Sequence, residues 1–265
     1  MRKYWFLFKS NLASRFEYRM ENFLWAIIDT VSLAFAIFVW TAVYKTNSQV
    51  GDYNFAQMII YYALIPVVGS LVYVHHINYG LPRSIKDGQI STEIIKPYNL
   101  SFNYFLKSTC IKIVQQFIKM PIFIIALIII THALKVSFTP VNLIIGLIIC
   151  LFSYLMNFFI DLSIAYLAFW VDEVWSFGHF KTILLSIFGG LAFPLSIIPL
   201  KYTPVFDFMP LRYVFYFPIS VIQGKLNSLE IIKGLVIIMV WITIFFTISQ
   251  ILWYKGLRKY SSNGG

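Results

Sequence analysis

The sequence predicts an all-α polytopic membrane protein. Of its 265 residues, 59% are hydrophobic and only 12% are charged, whereas a soluble domain carries roughly 25% charged residues. The mean hydropathy is +0.76, and the apolar runs reach the length of about 20 residues that a helix needs to cross a bilayer. These observations exclude an ordinary soluble enzyme. They leave no room for a folded extramembrane domain of about 100–150 residues, so residues 1–265 are expected to form a single transmembrane domain.

The first 22 residues are expected to form an amphipathic helix that lies in the membrane interface. Apolar side chains recur there at steps of three and four: Trp5, Phe8, Leu12, Phe16 and Met20. Lys9, Arg15 and Arg19 fall within or beside this stripe, where long basic side chains can extend towards the headgroups. A solvated N-terminal helix is the alternative interpretation of residues 1–22.

Six transmembrane helices are expected after this segment, with both termini in the cytoplasm. We place them at residues 23–44, 55–79, 113–133, 141–171, 180–198 and 231–254. The fourth is longer than a bilayer core requires, so it should bend or protrude on one side. Most of the 21 Lys and Arg residues fall in the segments that this topology places inside. That distribution is the positive-inside bias of membrane proteins, and it explains the net charge of +10 better than nucleic-acid binding does.

Residues 193–225, called the outer segment below, are too rich in proline for one straight spanning helix. They are also too aromatic for a free loop, so we expect short re-entrant helices that shield their backbone against protein. These helices would close the outer end of a pathway. The residues assigned to this outer gate are Phe193, Pro194, Pro199, Phe206, Pro210 and Tyr213.

Catalytic and nucleotide-binding motifs are absent from the sequence. It has no G-x-x-x-x-G-K-[ST] phosphate loop, and G-x-S-x-G, H-E-x-x-H and C-x-x-C are missing as well. The four histidines fall on both sides of the expected membrane, which argues against a metal cluster. Cys110 and Cys150 lie in or beside apolar runs and are interpreted as packing residues. We therefore expect no catalytic residue, metal site or cofactor on this chain.

Two internal stretches and the C-terminal ending resemble the permeases of ABC-2-type transporters. Residues 85–97 combine a charged residue, a glycine, aliphatic positions and a closing proline directly after the second span. Residues 190–199, followed by 209–213, resemble the signature that this family carries at the outer end of its fifth span. The ending at residues 255–265 is similar to a subgroup of short bacterial permeases. With six spans and an N-terminal interfacial helix, the resemblance covers essentially the whole chain.

This resemblance implies a membrane subunit of a bacterial cell-membrane exporter that is driven by ATP. Two ATP-binding subunits would dock on the cytoplasmic face and hold the ATP and Mg. Residues 82–97, called the coupling segment below, would form the contact, held between Pro82 and Pro97. The residues assigned to coupling are Arg83, Ile85, Lys86, Asp87, Gly88, Ile90, Glu93, Ile94 and Ile95. The four isoleucines would fill a groove of the ATPase, since such contacts concentrate their energy in a few apolar anchors.

The working unit implied by the resemblance is a pair of permeases with the pathway between them. The second permease is identical or related; the short subgroup often looks like one of a pair, which favours a heterodimer. The interface between the two permeases, called the seam below, has two candidate helices. These are span one, with Asp29 and Trp40, and span five, with Gly189 and Gly190. Small residues permit close helix approach in lipid, and a carboxylate is best accommodated facing protein or water. The alternative is that Asp29 lies near the inner interface and bonds to a neighbouring helix.

Two other function classes remain open at this point. An ATP-independent carrier or channel would differ in having no associated ATPase, and a membrane-embedded enzyme would need a catalytic cluster that the sequence does not show. The aromatic residues, 19% of the chain, suit an amphipathic, lipid-like, peptide or drug-like substrate, and they do not exclude glycans.

Overall fold

The described part of the computed structural model, residues 2–15, 19–74, 77–198 and 203–260, is helical. Five of its helices are long and apolar enough to cross a membrane. The eleven α-helices of the described ranges are α1 (Arg2–Arg15), α2 (Arg19–Val43), α3 (Phe55–Val72), α4 (Ile77–Lys86), α5 (Ile90–Ile94), α6 (Leu100–Leu134), α7 (Pro140–Tyr166), α8 (Trp175–Phe188), α9 (Thr203–Phe208), α10 (Tyr216–Ile222) and α11 (Ser228–Lys259). The five spanning candidates lie in α2, α3, α6, α7 and α11.

Two hydrophobic clusters organise the bundle, one towards each end. The larger includes Tyr61 of α3, Cys150 of α7 and Phe217 of α10; we call this the α10 end. The smaller includes Leu81 of α4, Ile90 of α5 and other residues of α4, α6 and α7; we call this the α4–α5 end. The long helices α7 and α11 pack on each other and connect the two ends.

Helix α6 is longer than the sequence predicted. It has 35 residues and begins at Leu100, whereas the third span was expected to begin near residue 113. At 1.5 Å per residue this helix is about 52 Å long, well beyond a bilayer core of about 30 Å. Its first turns therefore extend past the core at the α4–α5 end. Asn99 caps this helix by accepting a hydrogen bond of 2.9 Å from the backbone N–H of Phe102.

The three lysines in α6 made the start of the third span hard to predict, and each has a partner in the structure. Lys107 lies 3.9 Å from Glu93. Lys112 donates to the carbonyl oxygen of Ser70 at 2.8 Å. Lys119 forms an ion pair with Asp29 at 2.9 Å. Because these cations are paired within the chain, the helix continues through a region whose sequence is mixed.

The fifth predicted span, residues 180–198, is not one helix. Helix α8 begins at Trp175 and ends at Phe188 after 14 residues, which is too short to cross a bilayer core alone. Gly189 is its C-cap, and Gly190 follows with a φ of +89°, a conformation that glycine adopts readily. The expectation of six continuous spanning helices is therefore not confirmed by the described residues.

Helix α1 packs lengthwise along the start of α6. The ring of Tyr4 meets that of Phe102 edge-on at 4.9 Å. Further along, the thiol of Cys110 lies 3.5 Å from the carbonyl oxygen of Phe8. Phe8 and Leu12 are half-buried, while Trp5 is exposed. The predicted N-terminal helix is present over residues 2–15, and Phe16 of the predicted stripe lies outside the described residues.

Candidate functional site

The coupling segment forms two short helices joined by a tight turn at the α4–α5 end, a unit called the hairpin below. Helix α4 ends at Lys86 and α5 begins at Ile90. Between them Gly88 has a φ of +75°, so a side chain at this turn would be strained whatever space it met. The glycine of the recognised sequence pattern is therefore explained by a backbone reversal.

The four isoleucines of the coupling segment divide into two pairs. Ile85 is 4% exposed and Ile90 is fully buried, both in the smaller hydrophobic cluster of the chain itself. Ile94 is 40% exposed and Ile95 is 83% exposed. This differs from the expectation that all four fill a groove in a partner. Ile85 and Ile90 instead fix the hairpin to the bundle, because burying each such side chain contributes about 1.5–3 kcal/mol.

The charged residues of the segment divide in a similar way. Arg83 and Asp87 form an exposed ion pair at 3.3 Å, and Lys86 is exposed beside them. Glu93 faces inward instead, since its carboxylate accepts a hydrogen bond of 3.2 Å from the hydroxyl of Tyr104. Arg83, Lys86 and Asp87 are thus exposed to a partner, whereas Glu93 is bound to another residue of the same chain.

Both ends of the described chain hold this segment. The hydroxyl of Tyr260, directly after α11, donates to the carbonyl oxygen of Gly88 at 2.9 Å. The same hydroxyl lies 2.9 Å from that of Ser91. From the other end of the chain, the ammonium group of Lys3 donates to the carbonyl oxygen of Pro97. Sequence reasoning did not find the Tyr260 contact, which joins residues 172 positions apart and has no signature spacing.

The outer segment consists of short helices, as the prolines predicted. Residues Leu195–Ile197 and Pro210–Tyr213 are 3-10 helices, and α9 and α10 are short α-helices. All seven residues of α10 are buried. The prediction that no single straight helix spans this region is confirmed for its described residues. Whether the short helices re-enter a membrane stays a prediction.

Two of the assigned gate residues contact the bundle, Tyr213 through a backbone hydrogen bond and Phe206 through its ring. Tyr213 is 3% exposed, and its carbonyl oxygen accepts a hydrogen bond of 2.7 Å from Ser153 of α7. Phe206 packs on Phe188 with ring centroids 5.5 Å apart. Pro194 is buried, whereas Phe193 and Pro210 are half-buried. Pro199 lies outside the described residues.

Asp29 and Trp40, two of the seam candidates, have partners within the chain. Asp29 is paired with Lys119 of α6, which corresponds to the alternative of a bond to a neighbouring helix. The ring of Trp40 lies 5.9 Å from that of Tyr62 in α3. The structure therefore accounts for both residues without a second permease.

The paired glycines are also explained within the chain. A Cβ atom on Gly190 would lie 2.5 Å from the hydroxyl oxygen of Tyr61 and 2.9 Å from Cβ of Tyr216. A Cβ on Gly189 would lie 2.5 Å from the carbonyl oxygen of Leu185. Their backbone carbonyls are used as well, because Gly189 accepts from the N–H of Tyr216 at 2.9 Å and Gly190 accepts from Tyr61 at 2.7 Å. These glycines end α8 and allow the chain to approach α3 and α10 closely.

A buried polar cluster connects α3, α7 and α8. The ammonium group of Lys181 forms an ion pair with Asp161 and donates to the side-chain oxygen of Asn157 at 3.0 Å. Asn157 in turn donates to the carbonyl oxygen of Val72 at 2.9 Å. Asp161 is fully buried and Lys181 is 7% exposed. The sequence shows these polar residues inside apolar runs. Only the fold shows that Lys181 pairs with Asp161, 20 positions away.

A second polar contact ties the loop before α3 to the loop after α10. The ammonium group of Lys225 lies 3.5 Å from the ring centroid of Tyr53 and donates to the carbonyl oxygen of Asp52 at 2.6 Å. Partial burial lowers the pKa of Lys225, an effect that the carboxylate of Asp52 opposes. Burial also raises the pKa of the Tyr53 hydroxyl. These contacts fix the α10 end of the bundle.

The described residues contain no group of three or more His, Cys, Asp or Glu side chains that could hold a metal ion. What they do contain is a set of apolar spanning helices, a helical hairpin at one end and a covering of short helices at the other. These features define a multi-pass membrane protein.

The comparison with protein families identifies the family. The model of the ABC-2 family transporter protein matches residues 30–264, which is most of the chain, so the chain belongs to that family. ABC-2 permeases are the transmembrane components of their transporters and work with ABC ATPase subunits. No curated protein and no solved structure gives a match.

Proposed function

We propose that this chain is the permease subunit of an ATP-driven exporter, with its α4–α5 end in the cytoplasm. The observation that carries the proposal is the hairpin of the coupling segment. Its inner face is fixed to the bundle by Ile85 and Ile90, while Ile94 and Ile95 are exposed at the C-terminal end of α5. An exposed apolar pair on a firmly held hairpin suits a groove in a partner subunit, because a rigid anchor loses little conformational entropy on binding.

ATP binding and hydrolysis are assigned to the partner. The chain has no phosphate-binding loop, so ATP and Mg would be held by two ATP-binding subunits. Movement of those subunits would reach the permease through the exposed residues Arg83, Lys86, Asp87, Ile94 and Ile95.

The test of this proposal is the substitution Ile95→Asp in the full permease, co-expressed with its ATP-binding subunit. The substitution would place a carboxylate in an apolar contact, where it would lose its hydrating water. We therefore expect the dissociation constant of the complex to rise at least tenfold. Ile95→Leu is the matched control and should retain the complex. A permease that co-purifies with no ATPase would contradict the proposal and favour an ATP-independent carrier. Undiminished binding by both Ile95→Asp and Ile94→Asp would contradict the placement of the contact.

A second permease would complete the pathway, and we place it against α2 and α8, whose low burial is compatible with such a contact and is matched by that of α6. In α8 only Lys181 and Leu185 are buried, and only 11% of the apolar window in α2 is buried. Single cysteines at Ala36 and Ile187 should therefore form cross-links between permeases. If neither cross-links in an active complex, the seam lies elsewhere. The partner is identical or related; two chains of different mass in the purified complex would show a heterodimer.

The outer segment is proposed to close the far end of the pathway as re-entrant helices. Its support is the complete burial of α10 together with the aromatic residues that surround it. An amphipathic, lipid-like, peptide or drug-like substrate would suit such walls. A cysteine at Val205, which is exposed, should react with a bulky impermeant reagent, whereas one at Ile219 should not. Equal and rapid labelling of both would indicate an open loop.

A further inference from the structure

The inner end of α11 is attached to the coupling segment by the hydroxyl of Tyr260. This hydroxyl contacts the carbonyl oxygen of Gly88 and the hydroxyl of Ser91, each at 2.9 Å. Gly88 lies in the turn between α4 and α5, directly after the exposed Lys86 and Asp87, and Ser91 lies in the first turn of α5. The Tyr260 hydroxyl is therefore hydrogen-bonded to the part of the hairpin that a partner subunit would contact and move.

Tyr260 also packs against the smaller hydrophobic cluster. Its ring meets that of Phe169 edge-on at 6.1 Å. Phe169 in turn packs so closely on α11 that a Cβ atom added to Gly256 would lie 2.2 Å from it. The glycine at position 256 thus permits the last turn of α11 to sit directly on the smaller hydrophobic cluster.

The other end of α11 contacts the outer segment. A Cβ atom on Gly234 would lie 2.1 Å from the ring of Phe217 in α10. Further along the helix, the indole N–H of Trp241 donates to the carbonyl oxygen of Phe208 at 2.9 Å. Helix α11 has 32 residues without an interruption, so it is a rod of about 48 Å that touches both functional segments.

We propose that Tyr260 is a positioning residue that links the coupling segment to α11, and that α11 transmits its movement to the outer segment. This inference rests on the proposed function, since it assumes that a partner moves the hairpin. Movement of the turn at Gly88 would displace the end of α11 directly, because the hydrogen bonds join the two without an intervening loop. The packing of Phe217 and Phe208 on α11 would then shift at the α10 end.

The first experiment measures the attachment in the permease alone. Tyr260→Phe removes only the hydroxyl and keeps the ring on Phe169. Hydrogen exchange over residues 86–92 should rise roughly 3- to 10-fold, the effect of losing one ordinary hydrogen bond. Tyr254→Phe is the matched control, since Tyr254 lies on the same helix and is 65% exposed. Unchanged exchange in Tyr260→Phe would overturn the attachment, whatever the partner does.

The second experiment measures transmission in the complex with the ATP-binding subunits. The probe is the labelling rate of Val205→Cys by an impermeant maleimide, with and without ATP and vanadate; both native cysteines are buried. We expect Tyr260→Phe and Ser91→Ala each to reduce the nucleotide-dependent change at least twofold, and to be non-additive when combined. Tyr254→Phe should leave it unchanged. An undiminished nucleotide-dependent change in labelling in Tyr260→Phe would overturn transmission through α11. A parent protein that forms no complex with an ATPase would overturn the proposed function instead.

Discussion

At the residue scale, the paired charges inside the bundle explain how so apolar a chain tolerates them. Lys112, Lys119 and Lys181 each bond to a group on another helix. A charged group facing hydrocarbon costs several kcal/mol, so these contacts determine which helix faces can point inward. They hold α6 to α2 and α3, and α8 to α7.

Removing one member of the Asp161–Lys181 pair should be strongly destabilising. Lys181→Met leaves a carboxylate buried without its cation, which costs about 3–5 kcal/mol. The double variant Lys181→Met with Asp161→Leu should recover most of that loss, because an apolar pair of similar volume replaces the charges. The free energy of unfolding in detergent is the measurement.

The control for this prediction is Asp29→Asn. Its partner Lys119 is also on a neighbouring helix, but the side chain of Asp29 is 37% exposed. The loss should be smaller than for Lys181→Met, because the asparagine still offers an oxygen to Lys119 at a less buried site. Equal losses for Lys181→Met and Asp29→Asn would show that burial does not set the strength of these pairs.

At Gly190 a single added methyl group should be strongly destabilising, because a positive φ and a close contact coincide there. Gly190→Ala would force a non-glycine residue to a φ of +89° and bring Cβ to 2.5 Å from Tyr61. The backbone strain alone costs about 1–3 kcal/mol, and the contact adds to it. Gly80→Ala is the matched control, since nothing lies within 4 Å of the added Cβ there, and it should be neutral or slightly stabilising. A melting temperature of Gly190→Ala equal to that of the parent would contradict this explanation.

At the element scale, hydrophobic runs predicted where long helices occur but not where they end. The fourth and sixth spans were placed within about five residues of the ends of α7 and α11, because each is a long, predominantly apolar run. The third was placed too late, since partners such as Asp29 for Lys119 are remote in sequence. The fifth was too long because Gly189 and Gly190 end α8 through contacts with Tyr61 and Tyr216, which no local pattern reveals.

The same limit applies to the candidate site. The sequence located the coupling segment and its turn glycine, since the pattern of charge, glycine and proline is local. The sequence could not show that Ile85 and Ile90 are buried while Ile94 and Ile95 are exposed, because burial depends on how the hairpin packs on α6 and α7. Nor could it link Tyr260 to Gly88, which only the fold brings together.

The start of α11 offers a test of helix capping. Asn227 and Glu230 form a reciprocal capping box, with hydrogen bonds of 2.9 and 2.8 Å. Asn227→Ala should lower the free energy of unfolding by about 0.5–2 kcal/mol. Thr139→Ala at the start of α7 is the control, because the Thr139 side chain makes no capping hydrogen bond. Similar losses in both variants would mean that the capping box contributes nothing particular to α11.

At the scale of the whole molecule, the two hydrophobic clusters give each end of the bundle its own packing. The larger cluster joins α3, α7, α8 and α10, and the smaller joins α4 to α6 and α7. Helices α7 and α11 pass from one to the other. A relative shift of the ends therefore has to involve these long helices, which is why a contact such as Tyr260 at one extremity can matter at the other.

The number of membrane crossings depends on the path between α7 and α11. Five described helices can cross alone, and five crossings would put the termini on opposite sides. Helix α8 starts beside α4, where the two helices are in contact, and ends beside Tyr61 near the α10 end. We therefore predict that α8 and the short helices after it together make the sixth crossing, and that the two termini share the cytoplasmic side.

Single cysteines at exposed positions test this topology in whole cells with an impermeant maleimide. We expect labelling from outside at Asn47, Lys135 and Ser228, and labelling only after permeabilisation at Lys96, Asp172 and Lys259. Asp172 and Ser228 are the decisive pair, because they flank α8 and the outer segment. If both react from the same side, residues 175–222 do not cross the membrane. The chain would then have five crossings and its C-terminus would lie on the side opposite to the coupling segment, so the contact between Tyr260 and Gly88 could not form and the proposed topology would be wrong.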